Sequence, residues 1–183
     1  VADLIEKART ETLTCASPGN GTGQHLAFEL FASMAKVKMQ HVPYRGSALS
    51  MNDLAGGQIA MAVSPVTEAL ELHKAGRVTI VATTGGTRSP FVDGVPTLKQ
   101  AGVDLEVPLW FAVYAPAATP PALLDPMRQA IHAKLAMPEA KAQLARLGLV
   151  PAPSGSAELL VVQRRESDMW VPVVQASGFT PAD

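Results

Sequence analysis

Short apolar runs alternate with helix-spaced segments through the first hundred residues, and that alternation most constrains the fold. Thr12 to Ala16 reads as a strand, and Gln24 to Ala35 repeats apolar residues at the spacing of one helix face. Val37 to Tyr44 is a second strand, ending at Pro43, and Ala48 to Ala55 a helix that Ser47 caps and Gly56-Gly57 terminate. Ile59 to Val63 is a third strand, Pro65 to Ala75 a helix stopped by Gly76, and Val78 to Thr83 a fourth strand. A helix-like piece, Ala2 to Arg9, precedes them, and a loop from Gly85 to Pro96 and a short helix from Thr97 to Ala101 follow. Near-continuous apolar strands separated by helices predict an α/β fold, a parallel sheet covered by helices on both faces.

One connection in this series has chemistry of its own. Cys15-Ala16-Ser17-Pro18-Gly19-Asn20-Gly21-Thr22-Gly23-Gln24-His25 runs straight into the helix beginning Leu26-Ala27-Phe28. Glycines at 19, 21 and 23 let the backbone turn sharply and approach a ligand closely. A glycine-rich turn opening a helix gathers unpaired N–H groups and the positive end of the helix dipole at one place, which attracts an anion. No Gly-Lys-Ser/Thr closes the loop, so it is not a nucleoside-triphosphate loop, and its Gly-x-Gly-x-Gly spacing is wrong for a dinucleotide fingerprint. The residues alone leave two readings open, a carboxylate or phosphate receptor and a plain strand-to-helix packing turn.

Composition narrows the function classes. With 48% hydrophobic and 17% charged residues, the 183-residue chain is globular, with room for one or two domains. A net charge of −1 removes the electrostatic footprint of a nucleic-acid binder. No apolar run reaches the roughly 18 residues of a membrane span. The single cysteine excludes an internal disulfide and a thiolate metal cluster, and Cys15 in its apolar strand reads as a small core residue. Four scattered histidines show no metal-ligand spacing, and no Gly-x-Ser-x-Gly elbow marks a nucleophile, so neither a cofactor nor an enzyme is expected. The chain opens at Val1 without a signal peptide, as a processed export product or a piece of something longer would.

The pattern changes after Gly102. Leu105 to Ala115 reads as a long strand carrying Trp110 and Tyr114, broken by Pro116 and Pro120-Pro121. Three helices follow, Pro121 to Ala136, Pro138 to Leu147, and Ala157 to Ala176, the last capped by Ser154 or Ser156 and kinked at Pro172. Helices with apolar faces and no strands of their own either fold back on the first sheet or belong to a second lobe.

The ordered set of motifs resembles one family. His41-Val42-Pro43-Tyr44-Arg45-Gly46-Ser47 and Asp53-Leu54-Ala55-Gly56-Gly57-Gln58-Ile59 look like the tripartite tricarboxylate transporter receptors, the Bug family of periplasmic solute-binding proteins. The Ser17 to His25 loop with His25-Leu26 supports this, as do Lys74-Ala75-Gly76-Arg77, Arg88-Ser89-Pro90, Val95-Pro96-Thr97-Leu98 and Ala101-Gly102. Trp110-Phe111, Ala115-Pro116 with Pro120, Trp170 and Gly178 complete the series. The resemblance implies a periplasmic-binding-protein-like (type II) fold, with residues 1–108 forming lobe two. Residues 109–183 would supply a crossing strand and helices returning to an incomplete lobe one, whose N-terminal part this chain lacks.

The resemblance also implies a function. A small di- or tricarboxylate, or a related organic acid, would sit in a cleft between lobes, and a hinge would close over it. The closed, periplasmic receptor would be read by the membrane components of a tripartite transporter. Ser17, Gly19, Asn20, Gly21 and Thr22 would form lobe two's carboxylate loop. Tyr44, Ser64, Thr83 and Thr84 stand at the carboxyl ends of the neighbouring strands, where parallel sheets place their ligands. Each has a plainer role open to it, with Ser64 as a helix cap and Thr83 and Thr84 as turn residues. His25 matches the motif as a brace for the loop, although a packed or solvent-facing histidine fits as well; His41 reads as structural, and His73 and His132 as exposed. Arg45 could meet an anion or pair with a surface acid. Lobe-one helices lacking their sheet would expose apolar surface and invite dimerisation. The rival reading is the ligand-sensing effector domain of a bacterial transcription regulator, which shares the two-lobed architecture.

Overall fold

The computed structural model describes residues 1–177; Gly178 lies outside them. A three-stranded parallel sheet in the order β2-β1-β3 organises the first part of the chain. Its strands are β1 (Leu13–Ser17), β2 (Met39–Pro43) and β3 (Met61–Ala62). β1 pairs with β2 from Leu13↔Met39 to Ser17↔Pro43, and with β3 through Cys15↔Met61 and Ala16↔Ala62. Flanked on both sides, β1 is the most deeply buried element, with Cys15, Ala16 and Ser17 at 0% exposure. Burial pushes the Cys15 thiol far above its ordinary pKa, which makes it an inert core group.

Four helices accompany the sheet: α1 (Ala2–Thr10), α2 (Gly23–Ala35), α3 (Ser47–Ala55) and α4 (Val66–Lys74). α2 lays Phe28, Phe31, Ala32 and Ala35 into a core that also holds Leu13, Cys15, Val37, Leu98, Val103, Leu105 and Val107. It ends at Lys36, which takes the left-handed conformation usual for glycine (φ 53°). Because β2 and β3 both pair parallel to β1, the loops after β1, β2 and β3 all leave the carboxyl edge of the sheet. Their backbones touch there: Tyr44 N–H donates to Ser17 O, Gly46 N–H to Pro18 O and Val63 N–H to Ala16 O.

Several expected boundaries shift. Gly46 (φ 109°), and not Ser47, is the N-cap of α3, and no side chain caps it. The third strand shrinks to Met61–Ala62. Val78 to Thr83 forms no strand; it contributes one bridge, Thr83↔Thr97. His73 Nδ1 lies within reach of the Ile80 N–H and the Val78 carbonyl, groups a ladder would need. Thr97 to Ala101 is one turn rather than a helix, closed by Ala101 N–H to Thr97 O and followed by Gly102 at φ 92°.

Leu105 to Ala115 is likewise not a strand. Val103, Leu105 and Val107 alternate buried with exposed Asp104 and Glu106, as a strand would, yet Leu105 N–H bonds to Val103 O and Val107 N–H to Thr84 O. From Leu109 onward Phe111, Val113 and Tyr114 are exposed. An apolar run becomes a strand only where a neighbouring edge offers hydrogen bonds.

The chain divides into two compact units, Val1–Leu109 with the chain from Arg164 onward, and Trp110–Gln163. The second unit contains α5 (Pro121–Ala136), α6 (Pro138–Arg146) and the first part of α7 (Ser156–Ser177). Proline stands in the first turn of α5 and of α6, where its missing N–H costs nothing. α7 runs through Pro172, and its start is held by Glu158, whose Oε2 takes the Gly155 N–H at 2.7 Å, rather than by a serine. No described residue of the second unit is buried. Within the first unit, Met169 and Trp170 of α7 pack against the core.

Candidate functional site

The loop between β1 and α2 stands at the carboxyl edge, beside the exits of β2 and β3. Gly21 adopts φ 71°, a left-handed turn that side chains resist. Thr22 then caps α2: its Oγ1 accepts the His25 N–H at 3.2 Å and donates to Gly19 O at 2.8 Å. Gly21 N–H donates to His25 Nδ1 at 3.1 Å, and Thr22 N–H to Gly19 O. Among the described residues, the N–H groups of Asn20, Gly23 and Gln24 have no acceptor. Asn20 and Gly23 are exposed, and no acidic side chain occupies the first turn of α2. Three unpaired donors at the positive end of a 13-residue helix therefore face an otherwise uncharged loop.

Beneath the loop lies a buried polar assembly. The His25 and His41 rings stack with centroids 3.9 Å apart at 18°, and the Phe28 ring also stacks with His41, at 5.8 Å. His41 Nε2 is 2.7 Å from Ser17 Oγ, which also donates to Gly19 O at 3.1 Å. Burial, and then the neighbouring His25, pull the His41 pKa down to about 4. His25 Nε2 faces Glu29 Oε1 at 3.5 Å.

The expected contact residues fall into separate groups. Gly19, Asn20, Gly21 and Thr22 form the loop itself, while the Ser17 side chain is buried beneath it and engaged there. Tyr44 adjoins the loop through its backbone, but its hydroxyl donates to Asp53 Oδ2 at 2.7 Å, a bond that raises the phenol's pKa. Ser64 Oγ bonds weakly to its neighbour's Pro65 O at 3.3 Å and lies 3.8 Å from Met51 Sδ. It does not cap α4, whose N-cap is Pro65. Thr83 belongs to the bridge with Thr97, and its Oγ1 is buried without a hydrogen-bond partner among the described residues; Thr84 O holds Val107 N–H. Arg45, next to Tyr44, is exposed and forms no ion pair among the described residues.

His73 and His132 are half-buried and bonded, His132 to Ser154 O at 3.2 Å, and not simply exposed. The residues that sequence reasoning missed are Asp53, and Gly23 and Gln24 as N–H donors. The last two had a visible signal, since the first positions of any helix lack intrahelical acceptors. No group of three or more His, Cys, Asp or Glu able to hold a metal exists among the described residues. No helix among them is long and apolar enough to cross a membrane. A shallow depression lined by Ile5, Arg9, Met34, Lys36 and Val103 includes no residue of the loop.

Several known proteins are similar to this chain. A UPF0065 protein encoded in the tcbD-tcbE intergenic region of a Pseudomonas species is 32% identical over 178 residues, 95% of this chain and 53% of that protein. The chain thus spans about half the length of most curated relatives it matches. The structure of R. palustris Rpa4515 with adipate superposes with a TM-score of 0.84 at 30% identity, covering 100% of this chain and 62% of the other. MatC from Rhodopseudomonas palustris, with bound malate, gives 0.72 at 25% identity, covering 94% and 60%. The fold is that of periplasmic binding proteins, a parallel sheet flanked by helices. The model of the tripartite tricarboxylate transporter family receptor matches residues 1–179. With the glycine loop, the Pro43-Tyr44-Arg45-Gly46 exit and the sheet that joins them all inside that match, this chain belongs to the tripartite tricarboxylate transporter receptor family.

Proposed function

We propose that this chain is the carboxylate-gripping part of a periplasmic receptor that captures a small organic acid, with di- and tricarboxylates the leading class. The acid would lie in a cleft between this lobe and a second one and be handed to the membrane components of a tripartite transporter. One observation carries the reading: among the described residues, Asn20, Gly23 and Gln24 N–H stand without acceptors at the opening of α2, on the carboxyl edge of a parallel sheet. Carboxylate oxygens accept such donors, and the helix dipole adds attraction without a charged clamp. Arg45, exposed beside the loop, offers a further polar group. The adipate and malate found in two structural neighbours belong to the same chemical class.

Thermal unfolding of the receptor expressed from its whole gene, in a panel containing adipate, malate and citrate, tests this. A ligand at about 100 times its Kd adds roughly 2.7 kcal/mol, a rise of several degrees at about 2–4 °C per kcal/mol. Gly23→Asp supplies the control, because a Cβ at Gly23 meets nothing within 4 Å. The new carboxylate suits the helix start, by about 0.3–1 kcal/mol, and repels an anionic ligand. The unliganded variant should be at least as stable as the parent yet show no ligand-induced rise. A panel without any rise, or an equal rise in Gly23→Asp, counts against the reading.

A further inference from the structure

The loop's shape depends on one ring nitrogen. Gly21 N–H donates to His25 Nδ1 at 3.1 Å, so that nitrogen carries the lone pair and the ring hydrogen sits on Nε2, toward Glu29 Oε1 at 3.5 Å. Gly21 is the loop residue with the left-handed backbone (φ 71°), so the bond ties down the point where the chain reverses. His25 is itself fixed: it is 5% exposed, its backbone N–H is held by Thr22 Oγ1, and the His41 ring lies against it at 3.9 Å.

We propose that His25 is a positioning residue, an acid-released clamp that holds the glycine loop in its ligand-receiving shape through Gly21. This rests on the receptor reading for its purpose, not for its geometry. A second proton can enter the ring only at Nδ1. There it removes the acceptor and sets two N–H groups head to head, which expels Gly21. The titratable groups facing the ring are His41 from β2 and Glu29 from its own helix. Glu29 accepts from Nε2 whether the ring is neutral or charged. Burial, and then the nearby His25, hold the His41 pKa down to about 4. Acid therefore breaks the Gly21 bond while leaving the Glu29 contact in place, and the loop loosens at its tip.

The test is amide exchange by nuclear magnetic resonance on the whole chain, expressed as protection factors so that intrinsic pH effects cancel. In the parent, Gly21 should be protected at neutral pH and lose about five- to tenfold of that protection, one net hydrogen bond, as the His25 ring carbons titrate. His25→Asn, whose side-chain oxygen can take the place of Nδ1 and does not titrate, should keep the protection at every pH. His25→Phe should lack it throughout. Protection at Gly21 that ignores the ring's titration, or that survives in His25→Phe, overturns the proposal. A chain that binds no carboxylate yet shows this pattern would overturn the receptor reading and leave the clamp standing.

Discussion

Thr22→Ala removes one hydroxyl that makes two bonds, acceptance from the His25 N–H at 3.2 Å and donation to Gly19 O at 2.8 Å. Loss of a threonine N-cap costs about 1 kcal/mol, and the Gly19 bond contributes about 1 kcal/mol more. Their sum, roughly 2 kcal/mol, is a large share of a total that is about 5–15 kcal/mol for ordinary domains. At about 2–4 °C per kcal/mol, the melting temperature should drop by about 4–8 °C. Thr22→Ser keeps both bonds and should stay close to the parent. Urea denaturation checks this, with the midpoint moving and the slope unchanged. If Thr22→Ala matches the parent, or Thr22→Ser falls as far as alanine, the hydroxyl is not the cap that organises this loop.

Other perturbations report on the surroundings. Leu105→Ala, at a side chain 1% exposed in the core, should cost roughly 2–5 kcal/mol in the same denaturation experiment. Ultraviolet titration should find a phenol ionising above the ordinary tyrosine range, and Asp53→Asn should bring it back, because the hydrogen bond to Asp53 holds the Tyr44 proton. Stability from that pair persists below the ordinary tyrosine pKa and declines as the pH rises past it. Lowering the pH from about 6.5 toward about 4 should erode stability through His41, since the unfolded ring accepts a proton that the folded one refuses; His41→Asn should flatten the slope of stability against pH in that window.

The helices were legible because their periodicity and stop signals are local. Pro121–Ala136 is read to the residue, and Gly23–Ala35 within one. Strands were less so, because an apolar run carries no information about its partner: Val78 to Thr83 and Leu105 to Ala115 have strand composition and no ladder among the described residues. The anion loop was visible as three alternating glycines, yet their roles differ. Gly21 supplies the left-handed turn, whereas Gly23 has open space around it. The His25–His41 stack was hidden because it joins a helix start to the middle of β2, sixteen residues on, through the sheet register that sets His41 opposite Cys15. The Tyr44–Asp53 bond was hidden for a similar reason, since it closes across the α3 entry turn at Gly46.

Several large apolar side chains of the second unit are exposed. Leu123 and Met127 on α5 and Leu160 and Val161 on α7 are exposed, at 45% or more, although their spacing is that of buried helix faces. Gln163 Nε2 donates to the Tyr114 hydroxyl at 3.0 Å, and Arg128 pairs with Asp125 at 2.9 Å, both exposed contacts that contribute little to stability.

Asn20, Gly23 and Gln24 are proposed to receive a carboxylate through their N–H groups. Amide shift mapping on the isotopically labelled receptor from the whole gene, titrated with whichever panel acid raises its melting temperature, tests that claim most directly. Saturable shifts should concentrate on those three amides, with Gly21, already bonded to His25, moving less. Shifts centred elsewhere, or none at the opening of α2, would contradict the claim.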